Sequence, residues 1–130
     1  MPDRILVVAA VIETGGRFLV TQRLRGVHLA GYWEFPGGKI HDGETDEQAL
    51  AREIQEELKS AVENVRRVFS TTHAYPERTV ELRFYRCELM EPPTAMLGQE
   101  MRWIARDEFR TLTFPPADAE LIERLVDGTL

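Results

Sequence analysis

The stretch TDEQALAREIQEEL, Thr45 to Leu58, constrains the fold more than any other part of the chain. TDEQ reads as a capping box, in which the threonine hydroxyl accepts from the third helical amide and Gln48 returns the bond. Ala49, Leu50, Ala51, Glu53, Ile54, Gln55 and Leu58 are mostly good helix formers. Leu50, Ile54, Leu58 and Ala61 recur at helical spacing, which predicts a helix with one apolar stripe that must be buried against another element. Arg52, Glu53, Glu56 and Glu57 fall within an arc of roughly 140°. Three carboxylates therefore crowd the flank of that stripe.

Most charge runs are solvated faces. Such a face is normally laced by Glu-to-Lys pairs four residues apart, yet Glu53 is followed at that spacing by Glu57, Glu56 by Ser60 and Glu57 by Ala61. Only Arg52 and Glu56 pair, in the weaker orientation. Two carboxylates 4 Å apart repel by about 1 kcal/mol in water and about 4 kcal/mol at an effective dielectric of 20. A divalent cation reverses that sign. Magnesium suits the donor set, because it is hard, prefers oxygen and bridges carboxylates to phosphates. The nearest nitrogen donor, His41, is a lone loop histidine, a residue more often simply exposed.

The rest of the chain supplies strands for this helix to pack on. ILVVAAVI (Ile5 to Ile12) and RFLVTQR (Arg17 to Arg23), separated by ETGG, read as two strands joined by a turn. A polar loop around RGVHLAGYW follows, then Glu34 and Phe35, the turn PGG and the segment GKIHDGE ahead of the helix. After the helix come VENVRRVFSTTHAY and TVELRFYRCEL. In the second, Val80, Leu82 and Phe84 alternate with Glu81 and Arg83, the pattern of a half-exposed strand. EPPTAMLGQE reads as a loop, MRWIA (Met101 to Ala105) as a short strand and RDEFRTL as a turn or short helix. Pro115 and Pro116 then open a last helix, Ala117 to Asp127, with Leu121, Ile122 and Leu125 inward and Gly128 as its stop. Strands on both sides of a helix, with a second helix at the end, indicate an α/β (α+β) domain: a mixed sheet with helices on its two faces, covering residues 1–130.

At 130 residues and 43% hydrophobic composition the chain can bury a real core. The apolar run near the N-terminus is too short to span a bilayer, so a soluble, cytoplasmic protein with no membrane partner is expected. Its one cysteine, Cys87, forms no intrachain disulfide and reads as a small strand residue rather than a nucleophile. A net charge of −6 argues against binding a nucleic acid polymer. It does not exclude a phosphorylated small molecule, since a cation can sit between two sets of anions.

GKIHDGETDEQALAREIQEE resembles the Nudix box: Gly38, Glu44, Arg52, Glu53, Ile54, Glu56 and Glu57 all satisfy the family pattern. The resemblance implies a Nudix-type α/β/α sandwich. It also implies that Glu53, Glu56 and Glu57 bind Mg²⁺, with Mn²⁺ able to substitute, and that the Gly38 region contributes backbone. Arg52 and Glu44 would brace loop and helix. Lys59 and Ser60 stand where the box ends in glycine and an aliphatic residue, so the departure falls on the helix stop.

WEFPGGK, YPERTVELRFY, GQEMRW and FPPADAELI extend the likeness to the MutT branch and the related CTP pyrophosphohydrolases. That implies Mg²⁺-dependent hydrolysis of a nucleoside triphosphate to monophosphate and pyrophosphate, with Glu53 also positioning or deprotonating the water. The positions matching the base site are Arg23, Phe35, Arg78 and Asp118. Their plain alternatives are a core aromatic for Phe35, exposed arginines, and a helix-start residue for Asp118. Where MutT has an asparagine, Asp118 would, if ionised, only accept hydrogen bonds and so favour a base edge rich in donors. A damaged dNTP such as 8-oxo-dGTP is the first expected substrate, which would make the protein a sanitiser of the nucleotide pool. CTP or a modified dCTP comes next. An ADP-ribose or sugar-nucleotide hydrolase and a non-catalytic nucleotide-binding domain are the further alternatives. Leu97 occupies the place of a glutamate that many relatives carry before Gly-Gln, and Glu100 either takes over its role or is merely solvated. Monomer and homodimer are both open.

Overall fold

The computed structural model describes residues 3–27 and 29–130, and only the backbone of Asp3. Met1, Pro2 and the His28 portion of the predicted polar loop lie outside the described residues. Four strands form a mixed sheet in the order β5-β1-β7-β6: β1 (Asp3–Val11), β5 (Gly37–Lys39), β6 (Val62–Ala74) and β7 (Arg78–Leu89). β1 runs parallel to β7 and antiparallel to β5, and β6 and β7 form an antiparallel hairpin. A smaller antiparallel sheet contains β2 (Glu13–Thr14), β3 (Arg17–Gln22), β4 (Trp33–Glu34) and β8 (Met101–Ala105), with β3 paired to each of the other three. Helix α1 spans Asp46–Leu58 and α2 spans Ala119–Asp127.

β1 is apolar on both faces because both are covered. Val8, Ala10 and Ile12 pack with Leu50, Ile54 and Leu58 of α1. Ala9 and Val11 face the opposite cluster, where Phe84, Phe109, Leu121 and Leu125 gather beneath α2. Ala61, expected in the α1 stripe, is exposed and lies past the helix end, whereas Ala49 is fully buried in it.

β7 keeps the alternating pattern. Leu82 and Phe84 are buried toward α2, and the part-exposed polar residues that alternate with them are held in ion pairs. Arg83 donates to both oxygens of Asp46 at 2.9 and 3.1 Å, pairs with Glu81 at 2.6 Å, and is joined by the Tyr85 hydroxyl on Asp46 at 2.6 Å. A strand in mid-sheet beneath a helix N-terminus can thus carry charge when each charge has a partner.

The last helix also begins later than its pattern suggests. Pro116–Asp118 form a 3₁₀ turn, and α2 proper starts at Ala119 and stops at Gly128, φ 83°. RDEFRTL likewise resolves into a 3₁₀ segment, Arg106–Thr111. Among the described residues, no helix is long and apolar enough to cross a membrane.

Candidate active site

The capping box forms as the sequence predicts: Gln48 N–H donates to the Thr45 hydroxyl at 3.1 Å and Thr45 N–H to the Gln48 side chain at 2.9 Å. With Leu50, Ile54 and Leu58 turned inward, Glu53 and Glu57 are carried against β5, while Glu56 stays exposed. Glu53 lies directly over Gly38: a Cβ on that glycine would come within 2.4 Å of the Glu53 Cδ. The helix ends at Lys59, whose φ of 55° and ψ of 46° give the left-handed stop that glycine would supply, and whose N–H reaches Gln55 O at 3.1 Å. Ser60 is fully buried, and both its hydroxyl and the Ala61 N–H donate to Glu91, at 2.9 and 3.0 Å. The changed end of the box therefore keeps the helix where it is.

Arg52 is the brace. Its guanidinium donates to both oxygens of Glu44 at 2.7 and 3.0 Å, to Lys39 O at 3.0 Å and to Glu53 Oε1 at 2.9 Å. Those bonds, with the His41 N–H, hold the Glu44 carboxyl down to about 2. Glu57 moves the other way. Burial, then a hydrogen bond with Glu53 and its charge, raise the carboxyl well above the ordinary range, against one bond from the Gly37 amide. The Glu57 Oε2 is buried with no hydrogen-bond partner. A buried carboxylate oxygen without a donor, beside a second carboxylate, calls for a proton or, in its place, a hard divalent cation. Among the described residues, no three His, Cys, Asp or Glu side chains already enclose a cation-sized point. Glu56 is turned outward, 3.5 Å from Arg52.

Next to this cluster opens a cavity of about 310 Å³ whose walls include Arg23, Phe35, Arg78 and Asp118, the four predicted base-site positions, together with Gly37 and Gly38. Phe35 is both wall and core, with its ring stacked on Phe109 at 5.8 Å and edge-on to Phe84 at 5.6 Å. Arg78 is half-buried at the start of β7, where the turn from Tyr75 closes through Tyr75 N–H to Arg78 O at 2.8 Å. Asp118 stands at the N-cap position of α2 but its side chain makes no cap hydrogen bond; it is 5% exposed, and burial followed by the Glu34 charge pushes its carboxyl up to about 8. Burial thus favours the neutral form over the ionised one, which could only accept. A neutral carboxyl has one donor and one acceptor, like an asparagine amide.

A smaller cavity of about 170 Å³ adjoins the first and is lined by Glu57, Gln99 and Leu97, among others. Leu97 is there; Glu100 is exposed and lines neither space. Gln99 is buried and its amide donates to the Glu57 backbone oxygen at 3.0 Å. Three wall residues of the larger cavity escaped the sequence reading: Lys39, Tyr75 and Glu34. No spacing rule marks them, because Glu34 and Lys39 end short strands, Tyr75 lies in the turn after β6, and they come to one cavity only through the fold.

A model of the NUDIX domain matches residues 7–124. The chain is 39% identical over 132 residues to an 8-oxo-dGTP diphosphatase of Haemophilus influenzae, covering 99% of this chain and 97% of the relative. It is 34% identical to a CTP pyrophosphohydrolase of Escherichia coli, over 92% of this chain and 89% of that protein. The solution structure of a MutT from methicillin-resistant Staphylococcus aureus superposes with a TM-score of 0.79 at 35% identity, covering 98% of this chain and 99% of the other.

Proposed function

The chain belongs to the NUDIX domain family as a MutT-like nucleotide pyrophosphohydrolase, and from that premise we propose that it removes oxidised purine nucleoside triphosphates, 8-oxo-dGTP first among them, as monophosphate and pyrophosphate. One observation carries the choice of base: Asp118 is buried in the wall of the larger cavity, where burial favours its neutral form. A neutral carboxyl offers one donor and one acceptor. The O6 and N7–H edge of 8-oxoguanine presents the complementary acceptor and donor, whereas N7 of ordinary guanine only accepts. A neutral carboxyl also fits cytosine, whose N3 accepts and N4–H₂ donates, so CTP stays the second reading. Relatives acting on 8-oxo-dGTP and on CTP make both worth assaying.

Glu53 and Glu57, with Glu56 at the rim and backbone from the Gly38 turn, would hold the divalent cation, Mg²⁺ or in its place Mn²⁺. When bound, it supplies charge neutralisation at the phosphates and a water of lowered pKa. The chain's own residues do the remainder. Phe35 and the aliphatic walls exclude water around the base, and Arg23 and Arg78 place guanidiniums at its edge. Arg52 fixes Glu53, the group proposed to orient the attacking water and take its proton.

The test is a panel of 8-oxo-dGTP, dGTP, CTP, 5-methyl-dCTP and ADP-ribose with each cation, with products resolved. Pyrophosphate should appear from 8-oxo-dGTP with kcat/KM about 10-fold or more above dGTP, as one matched base edge allows. Silence with every triphosphate overturns the reading, and a preference for CTP overturns the choice of base.

A further inference from the structure

Glu34 is an unexpected residue to find between the two cavities, both of which it lines. Its side chain is only 26% exposed, and the charge of Glu34 is felt by Asp118 on one side and by Glu57 on the other. Enclosing a carboxylate among other carboxylates is unfavourable unless a cation answers it. That cation is Arg23, whose Nη1 lies 2.5 Å from Glu34 Oε2. The two come together through the small sheet: Thr21 pairs with Glu34 and Gln22 with Trp33 across β3 and β4, and Arg23 N–H continues the ladder to Tyr32 O at 2.8 Å. The backbone thus sets where Arg23 begins. A long flexible side chain still carries rotamer freedom that something must restrain.

We propose that Glu34 positions Arg23 at the junction of the cavities, so that nucleotide affinity and base preference depend on Glu34 through Arg23. The proposal rests on the reading of the larger cavity as the base site. It treats Glu34 as a positioning residue: the carboxylate fixes the guanidinium in one rotamer, and the guanidinium meets the ligand. A strand-end glutamate serving only the sheet would affect stability and leave the discrimination between two bases unchanged.

The experiment is a double-variant cycle read by calorimetric titration of 8-oxo-dGMP and dGMP without metal, so that no hydrolysis is involved. Glu34→Ala should weaken 8-oxo-dGMP binding about 10-fold and narrow its advantage over dGMP. Arg23→Ala should do at least as much, and the double variant should lie within about 2-fold of Arg23→Ala alone, because coupled residues are not additive. Glu34→Gln, whose amide oxygen still accepts from the guanidinium, should bind within about 3-fold of the unaltered protein. Should Glu34→Ala fail to fold by circular dichroism, Glu34→Asp, which keeps the charge but falls short of Arg23, takes its place in the cycle. Multiplicative losses in the double variant, or unchanged binding in the single one, overturn the proposal. Either result leaves the pyrophosphate-release assay standing, and failure of that assay leaves the cycle interpretable.

Discussion

At one end of the cleft, three glutamates come from five consecutive residues of a single helix; at the other, Arg23, Phe35, Arg78 and Asp118 arrive from four separate segments. The helical end is defined locally, by a cap, a stripe and a brace that all lie between Lys39 and Leu58. The cavity end exists only once β1, β7 and the turn before α2 have met. The electrostatics differ as well. Glu44 is held ionised by Arg52, whereas Asp118 is driven toward neutrality by burial, so one end is organised by paired charge and the other by exclusion of water.

Substitutions should separate the ends by what they disturb. The largest effect is expected for Glu53→Gln, which should lower kcat by about 10²–10⁴-fold while leaving metal-free mononucleotide binding intact; steady-state rates beside calorimetry decide it, and a variant that still turns over would misplace the chemistry. Gly38→Ala should lower kcat by about 10²-fold through displacement of the Glu53 carboxyl, with little change in urea unfolding, since the new methyl meets only the end of that side chain. If base affinity fell equally, the ends would not be separable.

Asp118→Asn should act on the other end alone. Its folded carboxyl titrates near 8 against an ordinary value of 3.8, so the folded protein keeps a proton that the unfolded chain has released. Stability contributed by that difference is full below about pH 4, falls as pH rises through 8 and levels off above. The melting temperature of the unaltered protein should drop between pH 6 and 9. Asp118→Asn should lose part of that slope and not all of it, because Glu57 is shifted in the same direction. The preference for 8-oxo-dGTP should shrink above pH 8 in the unaltered protein and persist in the Asn variant, measured as a kcat/KM ratio. The smallest effect belongs to neither end: Lys59→Gly should relieve the left-handed backbone and raise stability by about 1 kcal/mol with rates unchanged.

The same division governs what could be read from the sequence. α1 and its cap follow from neighbours three or four residues apart, and MRWIA from its short apolar run; these elements stand where expected, apart from Ala61 beyond the helix end. The split into two sheets does not, because β3 pairs with β8 across some eighty residues and nothing in either segment names its partner. Arg83 looked solvent-facing since its partner, Asp46, lies on another element. A strand-end glutamate such as Glu34 is ordinary in sequence until Arg23 is seen beside it. Asp118 was found by resemblance, yet its protonation depends on burial that no pattern reports.

The Arg52 brace also bears on how the molecule breathes. One guanidinium ties Lys39 and Glu44 to the helix, while Glu44 in turn holds the His41 amide at 2.8 Å and its own amide meets His41 O at 3.0 Å. A glycine-containing loop fastened this way opens only when the Arg52 bonds to Lys39 and Glu44 are released. In deuterium exchange its bonded amides should follow the slow helix, not the fast surface turns, and Arg52→Ala should uncouple the two clocks.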